Sequence, residues 1–77
     1  MTLIRYFAAA AEAAGRPEEP TSAATLGELL DGLAERPGLA EVVARCSILI
    51  DGVRSEDRGA RIDGAALVDV LPPFAGG

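Results

Sequence analysis

Side chains able to do chemistry are scarce in this chain. Its 77 residues include no His, no Lys and one Cys, and all seven basic side chains are Arg. Without imidazole the chain lacks the usual general base near neutral pH and the commonest metal ligand. Cys46 has no partner for an internal disulfide and opens the apolar run "CSILI", so it reads as a buried strand thiol rather than a nucleophile. Glu18 and Glu19 are adjacent acids in a Pro-rich stretch and read as solvated carboxylates, while Asp51, Glu56 and Asp57 lack EF-hand spacing. No metal is expected.

What remains is the segment "VLPPFAGG", Val70 to Gly77, where the reactive group would be a main-chain carboxylate. Pro72 and Pro73 fix φ near about −65° and have no N–H, so they end a strand and aim the chain outward as a stiff extended piece. Phe74 then offers a large side chain beyond any strand, whose burial against a partner would contribute about 1.5–3 kcal/mol. Gly76 and Gly77, without side chains, form a thin lead that lets a carboxylate enter a narrow slot.

The elements that must hold this tail can be read in order. A chain this short supports one core. At 49% hydrophobic and 25% charged residues it is too apolar for disorder, yet it has no run of about 20 apolar residues to cross a membrane. A net charge of −5 without a basic cluster argues against nucleic acid and suits basic protein partners. Glu12 interrupts the apolar stretch that might pass for a secretory signal, so a cytoplasmic location is expected.

"TLIRYFA", Thr2 to Ala8, reads as a strand, and "AAAEAAG" as a helical turn closed by a left-handed Gly15. Residues 16–24 read as a loop with a ragged edge strand. Thr25 and Glu28 form a capping box ahead of Leu26, Leu29, Leu30 and Leu33 at helical spacing, with Gly27 and Gly32 each weakening that helix by about 1 kcal/mol. Pro37-Gly38 is expected to end it, and 39–45 to add a second helical stretch. "CSILI" leads into an Asp51-Gly52 hairpin turn, and "ALVDVL" is the last strand.

The expected fold is α+β: a mixed sheet of four or five strands with one main helix on one face. It makes a single domain over 1–77 with a flexible Gly-Gly tail over 72–77. Strand alternation puts Ile4, Val68 and Val70 under the helix. Leu3, Phe7, Leu67 and Leu71 then surround Arg5 and Asp69 on a face with no helix to cover it, which suggests docking.

Three segments carry a family resemblance: Phe7-Ala8 with Glu12 and Gly15, a Phe-Ala-x-x-x-Glu-x-x-Gly pattern after the first strand; the Thr25-capped helix; and "PPFAGG". In these the chain resembles the ubiquitin-like, β-grasp sulfur carriers of the MoaD and ThiS kind, most closely the small subunits of molybdopterin synthase. The resemblance implies a carrier without catalytic side chains or bound cofactor. An E1-like adenylyltransferase (MoeB/ThiF-like) would use ATP to convert the Gly77 carboxylate to an acyl-adenylate, and a persulfide sulfur would displace AMP to leave a thiocarboxylate. Gly76 and Ala75 would thread into the partner, while Phe74, Pro73, Pro72, Leu71, Phe7, Leu3 and Leu67 would touch it. The second partner implied is the large catalytic subunit (MoaE-like), in a heterotetramer.

Two departures stand out. The family usually has Leu-x-Asp-Gly-Asp before the double proline, whereas Asp63-Gly64 stands one place early and precedes Ala65-Ala66, which suggests a bulge. Phe74 replaces a smaller β-branched residue. Alternative functions are sulfur donation to thiazole/thiamine or cysteine synthesis, a protein modifier attached through an isopeptide bond, and an interaction module using the sheet face alone.

Overall fold

Residues 1–73 are described by a computed structural model. Strands β1 (Thr2–Tyr6), β2 (Glu18–Thr21), β3 (Ser47–Ile50), β4 (Val53–Arg54) and β5 (Leu67–Leu71) form one sheet in the order β2-β1-β5-β3-β4. β1 and β5 run parallel at its centre, with Leu3 beside Leu67 and Arg5 beside Asp69, and every other pairing is antiparallel. The period-2 reading is borne out: Thr2, Ile4 and Tyr6 of β1 are buried, and Val68 and Val70 of β5 are inaccessible to solvent.

That buried face is covered by helices α1 (Ala9–Ala14), α2 (Leu26–Ala34) and α3 (Pro37–Val43). α1 ends at Gly15 with φ +81°, the left-handed cap its sequence predicts. At the start of α2 the Thr25 hydroxyl accepts from the Glu28 N–H, and Glu28 accepts from the N–H of Ala24, one residue ahead of the cap. The loop after β4 satisfies the next two donors: the Leu26 N–H reaches the Ala60 carbonyl and the Gly27 N–H the Arg58 carbonyl, at 2.9 and 2.8 Å. A Cβ on Gly27 would stand 3.0 Å from that Arg58 oxygen. Gly27 therefore lets the two backbones cross closely, and its cost to helix propensity is offset by the donors the crossing satisfies.

Several expectations change. β1 ends at Tyr6, not Ala8. The edge strand expected within residues 16–24 is β2, whose four residues all pair with β1. Pro37 opens α3 at its first turn rather than closing α2, a position where its missing N–H costs nothing. α2 is the longest of the three helices on that face, and α1 and α3 are the helical turn and second stretch that the sequence predicts. The Asp51-Gly52 turn is as expected, with φ of 47° and 85°, and the Asp51 carboxylate also accepts from the N–H groups of Ala66 and Leu67, tying the turn to the entrance of β5. Around Asp63-Gly64 there is no bulge: Ala65 N–H reaches Ile62 carbonyl in a tight turn, the β1–β5 register runs on unbroken, and the buried Thr2 hydroxyl donates to the Ile62 carbonyl at 2.6 Å.

Candidate functional site

The face without a helix carries the candidate site. Alternation in β1 and β5 turns Leu3, Arg5, Leu67, Asp69 and Leu71 toward it, and all three leucines are half-buried. Phe7, one residue past β1, is 39% exposed, and its N–H still reaches the Val70 carbonyl, which keeps it in line with the sheet. The register adds Leu49 of β3 beside Asp69. Sequence reasoning missed Leu49 because the order of the strands, not the β3 sequence, decides which neighbour it meets.

The centre of this face is one ion pair. Arg5 donates through Nε and Nη2 to the two Asp69 carboxylate oxygens at 2.7 and 2.9 Å. That hydrogen bonding raises the Arg5 pKa further above its usual value. The guanidinium also lies 5.7 Å from the centre of the Phe7 ring. Asp69 is only 7% exposed although no helix covers it, screened by Arg5 and its leucine neighbours. The bidentate pair holds both side chains in one orientation, and a partner that covered the face would meet a charge already neutralised. β5 then delivers the chain to Pro72, half-buried, and Pro73, exposed. Phe74, Ala75, Gly76 and Gly77 lie outside the described residues.

A second polar cluster lies on the other side of the sheet. Tyr6 donates to Glu19 at 2.5 Å, Arg36 Nη1 donates to the same Glu19 oxygen at 2.7 Å, and Arg36 Nη2 reaches the Ala14 carbonyl at 2.9 Å. Burial alone would push the Glu19 carboxyl up, but these two donors overcome it and hold it below its usual range. Burial, together with Glu19, pushes the Tyr6 phenol up. Glu19 is thus a structural tether between β2, β1 and the α2–α3 link, which corrects its reading as a solvated acid; Glu18 is exposed as expected. Cys46 is half-buried, its thiol donates to the Val42 carbonyl, and burial raises its pKa. It faces a groove of about 420 Å³ between α2, α3 and β3, away from the leucine face. Among the described residues no cluster of His, Cys, Asp and Glu could hold a metal ion, and no helix is long and apolar enough to cross a membrane.

A five-stranded mixed sheet wrapped on one face by helices, with a parallel central pair and an open apolar face leading into a tail, is the ubiquitin-like β-grasp architecture of small carriers and modifiers. The chain belongs to the ThiS family, whose model matches residues 4–77. Among solved structures it is similar to a chain in the complex of subunits 1 and 2 of molybdopterin-converting factor from Helicobacter pylori, at 26% identity and a TM-score of 0.77, over 99% of this chain and 97% of that one. SAMP1 of Haloferax volcanii matches at 25% identity and 0.75, over 99% and 98%. The HVO 2177 protein of the same organism matches at 30% and 0.72, over 99% and 85%. No curated protein matches. The chain is therefore a ubiquitin-like sulfur carrier or modifier of the ThiS/MoaD kind, and small carriers of this kind are generally not catalysts.

Proposed function

We propose that this protein carries sulfur as a thiocarboxylate on Gly77 for molybdopterin synthesis. An E1-like adenylyltransferase would join the Gly77 carboxylate to AMP at the expense of ATP, and a persulfide sulfur would displace the AMP. The observation that carries the reading is the ThiS-family match running through the Pro72-Pro73-x-x-Gly76-Gly77 segment, directly after the central strand β5. The choice of pathway rests on the similarity to the molybdopterin-converting factor chain, whose structure is a complex with its second subunit. A large catalytic subunit of that kind would seat itself on Leu3, Phe7, Leu67 and Leu71 and receive the tail. Both reactions suit the cytoplasm, where ATP is supplied.

Intact-mass spectrometry tests this. After incubation with a MoeB/ThiF-like adenylyltransferase, ATP and a sulfur donor, one oxygen-to-sulfur exchange at Gly77 is expected. An unchanged mass, with the enzyme shown to be active on its own carrier, would sink the proposal. The likeness to SAMP1 favours a modifier as the second reading. Isopeptide-linked conjugates on other proteins, in place of a thiocarboxylate, would decide for it.

A further inference from the structure

An activated Gly77, on the reading just given, is an acyl group bearing a good leaving group, open to any amine, imidazole or thiolate within reach. The chain that carries it offers few. Its basic side chains are seven Arg, with no Lys and no His. A guanidinium stays protonated in proteins and has no free lone pair to attack a carbonyl.

The stronger nucleophiles that remain are held back by position. Cys46 immediately precedes β3, whose Ser47 pairs with Leu71, so it is the thiol beside the exit of the tail. It is half-buried, with its S–H directed to the Val42 carbonyl at 3.1 Å. The Tyr6 hydroxyl is held by Glu19. The α-amine of Met1 is fully exposed, but β1 and β5 are parallel and Leu3 sits beside Leu67. Met1 is therefore level with the entrance of β5, roughly 20 Å from Leu71 at about 3.3 Å per residue. Beyond the stiff Pro72-Pro73 pair, the four residues to Gly77 span at most about 14 Å. They cannot bring the carboxyl back to that amine.

We propose that the arginine-only basic complement, the hydrogen-bonded thiol and phenol and the distant amine make this chain inert toward its own activated terminus, so that Gly77 waits for an external acceptor. In the reaction avoided, an amine lone pair would attack the Gly77 carbonyl carbon. The C–N bond would form as the bond to the leaving group broke, that group would depart with the electron pair, and the ammonium proton would pass to solvent.

The test installs an α-thioester of a small thiol at Gly77 by intein cleavage of the full chain. No adenylyltransferase is needed, so the result does not depend on whether Gly77 is the natural sulfur site. Samples are held at about pH 9, where part of a lysine population is neutral, and followed by intact mass. Added ethylamine captures the thioester in every variant and shows it competent. Wild type should yield only the hydrolysed acid. Arg45→Lys, an exposed substitution beside the tail exit, should yield a product one water lighter than the acid, at about ten-fold or more over wild type because the amine is tethered. Wild type forming that product as fast as the variant, or the variant forming none, overturns the proposal.

Discussion

Gly27 and Gly32 look alike in sequence, two glycines on one helix, yet the structure gives them opposite roles. A Cβ at Gly32 meets nothing within 4 Å, whereas at Gly27 it would meet the Arg58 carbonyl oxygen at 3.0 Å. Gly32→Ala should therefore stabilise the fold by about 0.5–1 kcal/mol through helix propensity. Gly27→Ala should destabilise it by about 1–3 kcal/mol by forcing the loop away. Urea denaturation of the two variants reads both signs, and equal signs would refute the crossing as the reason for Gly27. Nothing in the sequence separates them, because the crossing strand of backbone comes from residues 31 positions away. Glu19 was illegible for the same reason: its partners Tyr6 and Arg36 come from different elements.

Among the elements, β2 shows how a poor strand former is kept in a sheet. "EEPT" has little β-propensity and includes a proline, so the sequence marks only a ragged edge. It is held by pairing with β1 and by the Glu19 tether. Because the folded Glu19 pKa lies below its ordinary value of 4.5, its contribution is fully present above about pH 4.5 and is lost as pH falls through the lower, folded value. Wild type should lose urea resistance on acidification below that point. Glu19→Gln should cost about 1–3 kcal/mol at neutral pH and show a flatter acid limb. If both proteins lose stability in parallel on acidification, Glu19 is not the titrating tether. The Thr25–Glu28 cap of α2, by contrast, was legible in the sequence. Thr25→Ala should cost about 1 kcal/mol in the same assay, since its hydroxyl is the acceptor for Glu28. α3 was half legible: its apolar spacing stood out, but Pro37 is a stop in one context and a first-turn residue in another, and only the chain before it decides.

For the whole molecule, the core and the candidate docking face were both readable from alternation in β1 and β5, since a parallel pair in register brings like with like. Leu49 and the bidentate geometry of Arg5 with Asp69 required the strand order. Leu67→Arg, on the half-buried open face, should leave the urea midpoint nearly unchanged and weaken binding to a large-subunit partner by about ten-fold or more, read by calorimetry. Full binding by that variant would move the interface elsewhere. The central place of β5 has a consequence for how the protein comes into being. Its pairing with β1 joins residues 64 apart in sequence, Leu3 to Leu67, so closing the sheet waits on one of the longest loops the chain can make. Without β5 the sheet divides into β2-β1 and β3-β4, two-stranded pieces that are marginal alone, so the fold depends on the strand that joins them. The open face, built from β1, β5 and β3 side by side, exists only once that closure is made, so a chain with an unclosed sheet has no such surface to offer a partner.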